Sequence, residues 1–328
     1  MKKQFLLSLI FTLFCGIIYG QHLIRVNNDP AADADYTTIQ AANDDALPGD
    51  TIYVEGSPAN YDGANIDKKL IIIGPGYFLA DNDSTQANVL DTEIAGTLDF
   101  IIGSKGSKVY GLIISTLYIR DDEIVASRCK IGGIGFWDDS NNTLITQNYI
   151  TAGISSYGGK LTNSIISNNI IGSSLSAGST SYPLQITNNV FKGLAAPVSV
   201  YYSTISNNIF ISSTYKIQEN TGNTIINNIF AYAGTNANGN KYSITMTTVF
   251  VDLNGTLGYS EDERYKLKAG SPAIVAGVSG VDCGAFGGVT PYVLSGLPPF
   301  PRIYEATIPG TAYSDKGLSC NIKIKAGK

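Results

Sequence analysis

Between residues 140 and 230 one short phrase recurs five times, as LITQNYI, IISNNII, QITNNVF, TISNNIF and IINNIF. Each copy holds an asparagine at the same place, Asn148, Asn169, Asn189, Asn208 and Asn228, so the steps are 21, 20, 19 and 20 residues. A unit of about twenty residues cannot bury its own apolar face, and it must stack on its neighbours as a solenoid. The side chains decide which kind. Ile, Val, Phe, Thr and Tyr alternate with polar residues, and Gly, Ser and Asn fill the intervals, which is strand and turn chemistry. A helical solenoid needs apolar residues at three-to-four spacing, and these residues do not supply them. The repeat therefore predicts an all-β, parallel coil in which each Asn lies one strand spacing, roughly 4.8 Å, above its counterpart. Stacked amides can hydrogen-bond up such a column and satisfy both their donors and their acceptors.

The repeat resembles the right-handed parallel β-helix of the pectin-lyase-like superfamily, and both flanks add to the likeness. Upstream, YTTIQAANDDALPGDTIYVEG is similar to the entry of that superfamily, where a short amphipathic helix plugs the open end of the coil. Downstream, KAGSPAIVAGVSGVDCGAFGG resembles the closing coil of bacterial members. The resemblance implies a fold far more than an activity, because this architecture carries lyases, hydrolases, epimerases, adhesins and plain binding surfaces.

The first twenty residues join Lys2 and Lys3 to an unbroken apolar run that ends in a small residue before Gln21, the pattern of a secretory signal peptide. Phe14 before Cys15 argues against lipid attachment there. The protein is thus expected to be exported, to the periplasm, the outer surface or the exterior of a bacterium, with no membrane span. Four segments follow: the signal at 1–20, an N-terminal cap at 21–54, the parallel β-helix at 55–290, and a C-terminal strap and hairpin at 291–328. In the cap, Thr37 and Gln40 form a candidate capping box for a helix from Ile39 to Leu47. In the last segment five prolines in twenty residues remove ladder donors, so we expect an extended strap over the open C-terminal end. Of the three cysteines beyond the signal, Cys129 sits where later repeats have Asn. All three are expected as buried thiols, with a Cys283–Cys320 bridge as the alternative.

Chemistry has few candidates. The formal net charge is −5, which disfavours nucleic acid as a partner. His22 is the only histidine, which removes Ser/His/Asp and Cys/His catalysis. Between Ser140 and Val251 the acids reduce to Glu219 and the bases to Lys160, Lys192, Lys216 and Lys241, so the regular coils cannot place two carboxyls across one bond. Only Arg120 to Asp139 concentrates charge. Asp121 and Asp122 precede Asp138 and Asp139 by close to one coil, so the pairs are expected to stack. Hard oxygen ligands of that kind suit Ca²⁺. Arg120, Arg128 and Lys130 are the candidates to neutralise a uronate or act as base. The alternative is a set of solvated turn residues. For sugar contact the candidates are Trp137, Tyr149, Tyr157, Tyr201 and Tyr202, amphipathic rings amid Ser, Thr and Asn. The leading expectation is a monomeric surface protein that binds polysaccharide or a cell-surface glycan without turnover. A uronate lyase, with Ca²⁺ as its candidate cofactor, and a passive structural or adhesin segment stand beside it.

Overall fold

The structure is a computed structural model that describes residues 22–178, 182–193, 198–214, 217–218, 221–311 and 317–327. The expected signal peptide lies outside the described residues. Ten strands, from Leu23–Val26 to Thr224–Ile226, form one continuous sheet in which each strand pairs in parallel with the next coil. A second sheet of twelve strands runs from Ala64–Ile66 to Ile229–Phe230. Together they make an all-β, right-handed parallel β-helix.

Register follows the asparagine steps. Leu144 pairs with Ile165, Ile165 with Gln185, Gln185 with Thr204 and Thr204 with Thr224, offsets that repeat the spacing of the Asn column residue for residue. The backbone turns at the residue before each ladder Asn. Gln147, Asn168, Asn188, Asn207 and Asn227 all take left-handed φ values between 54° and 59°, a conformation Asn tolerates better than most side chains. That turn drives the next side chain inward. Asn148 Oδ1 accepts from Cys129 N at 2.9 Å, and Asn169 Oδ1 accepts from Asn148 N and Nδ2 at 2.9 and 3.0 Å. The pattern repeats through Asn189, Asn208 and Asn228, and all five side chains are fully buried. Cys129 occupies the position below the column, as its alignment with the repeats predicts. A sixth member, Asn240, accepts from Asn228 N at 2.9 Å after a short step of 12, which the twenty-residue period hides. Beside this polar column runs an apolar one. Phe191, Phe210 and Phe230 stack inside the barrel with centroids 4.8 and 4.9 Å apart.

The helix Ile39–Asp45 closes the N-terminal mouth and buries Ile39 and Ala42 in the barrel core. Its cap is Thr38, whose Oγ1 accepts from Ala41 N, and not Thr37. Gln40 reaches away to the barrel rim, where its Oε1 accepts from Asn65 N. The described residues contain no helix long and apolar enough to cross a membrane.

The C-terminal third departs from expectation. The last parallel strand is Ile229–Phe230, and residues 273–297 make no closing coil. They run back down the outside of the barrel along the row of left-handed turns. Asn227 Nδ2 donates to Ala276 O, Asn188 Nδ2 to Asp282 O, Asn168 Nδ2 to Gly287 O, Gln147 Nε2 to Pro291 O, and Arg128 Nη1 to Leu297 O. Five outward side chains thus grip one segment, which winds through short 3-10 turns as it descends. Beneath it a second apolar core forms outside the barrel, where the column Tyr149, Ile170, Val190, Ile209 and Ile229 meets Met246, Val249, Ala273, Cys283 and Ala285. The strap therefore lies along the flank and not across the open end. Asp262, fully buried, pins it by accepting from Ser295 N at 2.8 Å, Ser260 Oγ at 2.8 Å and the Tyr292 hydroxyl. The antiparallel hairpin of Arg302–Thr307 and Asn321–Lys325 follows.

The cysteines divide. Cys129 and Cys283 are buried and free, as expected, whereas Cys320 is free and exposed, so neither the buried position nor the bridge expected for it is formed. It adjoins a hairpin strand whose residues all face solvent. Burial pushes both buried thiols up to about 12 and raises the Tyr77, Tyr149 and Tyr292 hydroxyls as well. A group whose pKa rises on folding gives stability that is full below its unfolded value and lost as pH climbs towards the folded one. Stability should thus fall between about pH 9 and pH 12, the window opened by the thiols. Urea midpoints at pH 8 and pH 11 check this, with the higher midpoint expected at pH 8.

Candidate functional site

On the outer face of the second sheet, three strands, Glu93–Phe100, Ile113–Ile119 and Lys130–Phe136, run unbroken before later coils split at a bend. Strand alternation points Asp99, Tyr118 and Gly135 outward in one register column, continued by Ser155 and Ser176. Gly135 has a specific role there. A Cβ at this position would stand 2.8 Å from the Tyr157 ring and 2.9 Å from the Tyr118 ring, so only glycine lets the two rings close over the sheet.

Above that floor the aromatics assemble. Trp137 and Tyr157 stack with centroids 5.0 Å apart and planes 21° apart, and Tyr118 meets Trp137 edge-on at 5.9 Å. Trp137 and Tyr157 keep 43% and 54% of their surface exposed, which is far more than packing alone requires. The Arg120 guanidinium lies 5.7 Å from the Tyr118 centroid and 5.9 Å from that of Trp137. Its Nε donates to both oxygens of the nearly buried Asp99 carboxylate at 3.0 Å, and Nη1 stands 3.7 Å from Asp138. Asp99 holds the Arg120 pKa above its usual value. Alongside runs a groove of about 500 Å³ lined by Ser115, Thr116, Gly132, Gly133, Ser155 and Ser173 among others. Its floor is backbone and its walls are hydroxyls.

The four acidic candidates do not share one site. In the sheet Ile119 pairs with Phe136, whereas at the following turn Asn141 N donates to Asp122 Oδ1, so the offset from coil to coil is longer at the turn than in the sheet. The extra chain pushes Asp138 and Asp139 out of the column above Asp121 and Asp122. Each pair then finds its own partners. Asp121 Oδ2 accepts from Gly103 N and Lys105 N at 2.8 and 2.9 Å, and Asp139 accepts from Lys160 N at 3.0 Å. Among the described residues no three His, Cys, Asp or Glu side chains gather as metal ligands do. The expected stack of four carboxylates is thus corrected: Asp121, Asp122 and Asp139 accept from backbone N–H groups at turns, and Asp138 faces Arg120.

The remaining candidates separate too. Tyr149 is fully buried under the strap, where its hydroxyl donates to Glu261 and accepts from Lys192 Nζ, so it is corrected from a sugar contact to a core residue. Lys192 is itself depressed in pKa by burial. Lys130 turns the other way from the groove, with Nζ 4.6 Å over the Phe78 ring. Arg128 belongs to the strap contact described above. Tyr202 pairs edge-on with Tyr182 at 5.5 Å in a later coil, and Tyr201 is half-buried beside it, so neither joins the Trp137 cluster. Of the sequence candidates the structure unites Arg120, Trp137, Tyr157 and Asp138. Asp99 and Tyr118 are additions that the sequence candidates lack, although Asp99 stands just one coil before Arg120 and pairs with it across that step.

No protein-family model and no curated protein matches the chain.

Replacing Gly135 with Val suits the strand but fills the space the rings use. We expect Gly135→Val to fold with a melting temperature within a few degrees of the native chain, while near-ultraviolet circular dichroism loses the Trp137–Tyr157 signal.

Proposed function

We propose that the protein is an exported or cell-surface β-helix that binds polysaccharide along the Tyr118–Trp137–Tyr157 groove without cleaving it. The observation that carries this reading is the exposed Trp137–Tyr157 stack standing over a floor of glycine and serine. Amphipathic rings offer flat apolar faces for pyranose rings, and the hydroxyl walls and open backbone take the sugar's hydrogen bonds. The paired state of Arg120 supports binding over turnover. A lyase needs a cation to neutralise the sugar carboxylate and a base to take the proton, and Arg120 is already engaged by Asp99 and Asp138.

Affinity electrophoresis against neutral and uronate polysaccharides, with and without Ca²⁺, tests the proposal. Retardation of the native chain should be lost in Trp137→Ala and Tyr157→Ala, with the polymer unshortened. A calcium-dependent rise in the ultraviolet absorbance of unsaturated sugar would establish a lyase instead. No retardation by any glycan would leave a structural or adhesin segment.

A further inference from the structure

A second cavity, about 710 Å³, opens where the end of the strap meets the barrel wall and the hairpin. Arg128, Arg302 and Lys325 line it together with Tyr292, Leu297 and Pro298, and no acid is among the lining residues. The three cations come from different parts of the chain: the barrel turn, the first hairpin strand and the second. Arg302 and Lys325 are directly opposite each other across the antiparallel pair. Like charges at that position destabilise a hairpin. The second rung along, past Ile303 and Ile324, shows the usual solution, since Glu305 faces Lys323 and their side chains meet at 2.7 Å. The cationic rung is thus an exception within one short element.

Each cation is also held in place. Arg302 Nε donates to Thr85 O at 2.8 Å, Arg128 Nε to Gln147 Oε1 at 2.9 Å, and Lys325 Nζ lies 4.5 Å over the Tyr304 ring. The two terminal amino groups of Arg302 meet no carboxylate among the described residues. Burial and the nearby Arg302 charge both lower the Arg128 pKa, as like charges in a poorly hydrated space do. Such an arrangement is relieved by a bound negative charge. The rest of the lining is mostly apolar, which suits a ligand with more than a bare ionic head.

We propose that this cavity binds a small organic anion, a carboxylate or phosphate on an apolar body, with Arg302 and Lys325 holding the charged head and the Tyr292–Pro298 wall covering the rest. Calorimetric titration of the full chain at low salt with octanoate and with phenyl phosphate tests it, with octanamide and phenol as uncharged counterparts. At least one anion should bind ten times or more tightly than its counterpart, and the stronger of the two names the head group. Arg302→Gln and Lys325→Gln should each weaken that binding about tenfold, the loss of one charge-assisted contact. Lys325 is exposed, so its variant should keep the native melting temperature and separates lost binding from lost folding. Trp137→Ala should bind the anion normally, which distinguishes this cavity from the glycan groove. Equal binding of anions and counterparts, no binding of either anion, or full binding by the Lys325→Gln chain would overturn the proposal.

Discussion

Replacing Asn189 with Ala is expected to lower stability by about 3–5 kcal/mol, while Gln185→Ala on the adjoining strand changes it by less than about 0.5 kcal/mol. The reason lies in what each side chain leaves behind. Asn189 Oδ1 accepts from both Asn169 N and Asn169 Nδ2 at 3.0 Å, and its own Nδ2 donates to Ile166 O at 2.8 Å and to Asn208 Oδ1 at 3.0 Å. Deleting it strands two donors in a fully buried column, each costing about 1–3 kcal/mol, and opens a cavity as well. Gln185 is exposed and makes no such contact. Because coils stack only on neighbours, the damage should be local in origin but cooperative in outcome. Urea unfolding of the two variants beside the native chain reads the difference. Similar midpoints for the two would mean that the amide column contributes little.

The second large effect concerns the strap. Asp262→Ala removes the one carboxylate that gathers Ser295 N, Ser260 Oγ, the Tyr292 hydroxyl and Asn82 Nδ2. Asp262 forms no ion pair among the described residues, so its loss relieves some desolvation while it strands several buried donors. The donors should win, by about 2–4 kcal/mol. The visible consequence should be release of the flank and not collapse of the coil. Limited proteolysis of Asp262→Ala should cut between residues 262 and 300 at doses the native chain resists, while far-ultraviolet circular dichroism keeps its β signature. Asp262→Asn retains one acceptor oxygen and should lie between the two. A variant as resistant as the native chain would show that the apolar column under the strap suffices to hold it.

The parts of this fold that repeat are legible in the sequence. Coil lengths can be read from the asparagines because the same residue that marks the period also makes the inter-coil bonds. The longitudinal strap leaves no such mark. A segment that crosses the coils at right angles has no partner at the repeat spacing, and the stretch from Ser271 to Gly288 therefore reads as one more coil. Tyr149 is deceptive for the same reason, since the residues that cover it, Glu261 among them, lie 112 positions later. Asn240 escapes because the final step is short. In the candidate site, Trp137 and Tyr157 are visible as exposed-type aromatics at coil spacing. The role of Asp99 is not, because no repeat phrase runs through the early coils and nothing in the sequence marks its pairing with Arg120. One coil later the offset lengthens from the sheet to the turn, and that slip undoes the expected stack of four carboxylates.

Trp137 is the single tryptophan in the chain, so its fluorescence reports on the proposed groove alone. Titrating the native protein with oligosaccharides of increasing length should quench or blue-shift that emission saturably. The response should strengthen as the chain grows long enough to span Trp137 and Tyr157, and vanish in Gly135→Val. An emission spectrum unmoved by every neutral and acidic glycan, at concentrations up to the millimolar range typical of weak sites, would contradict the account.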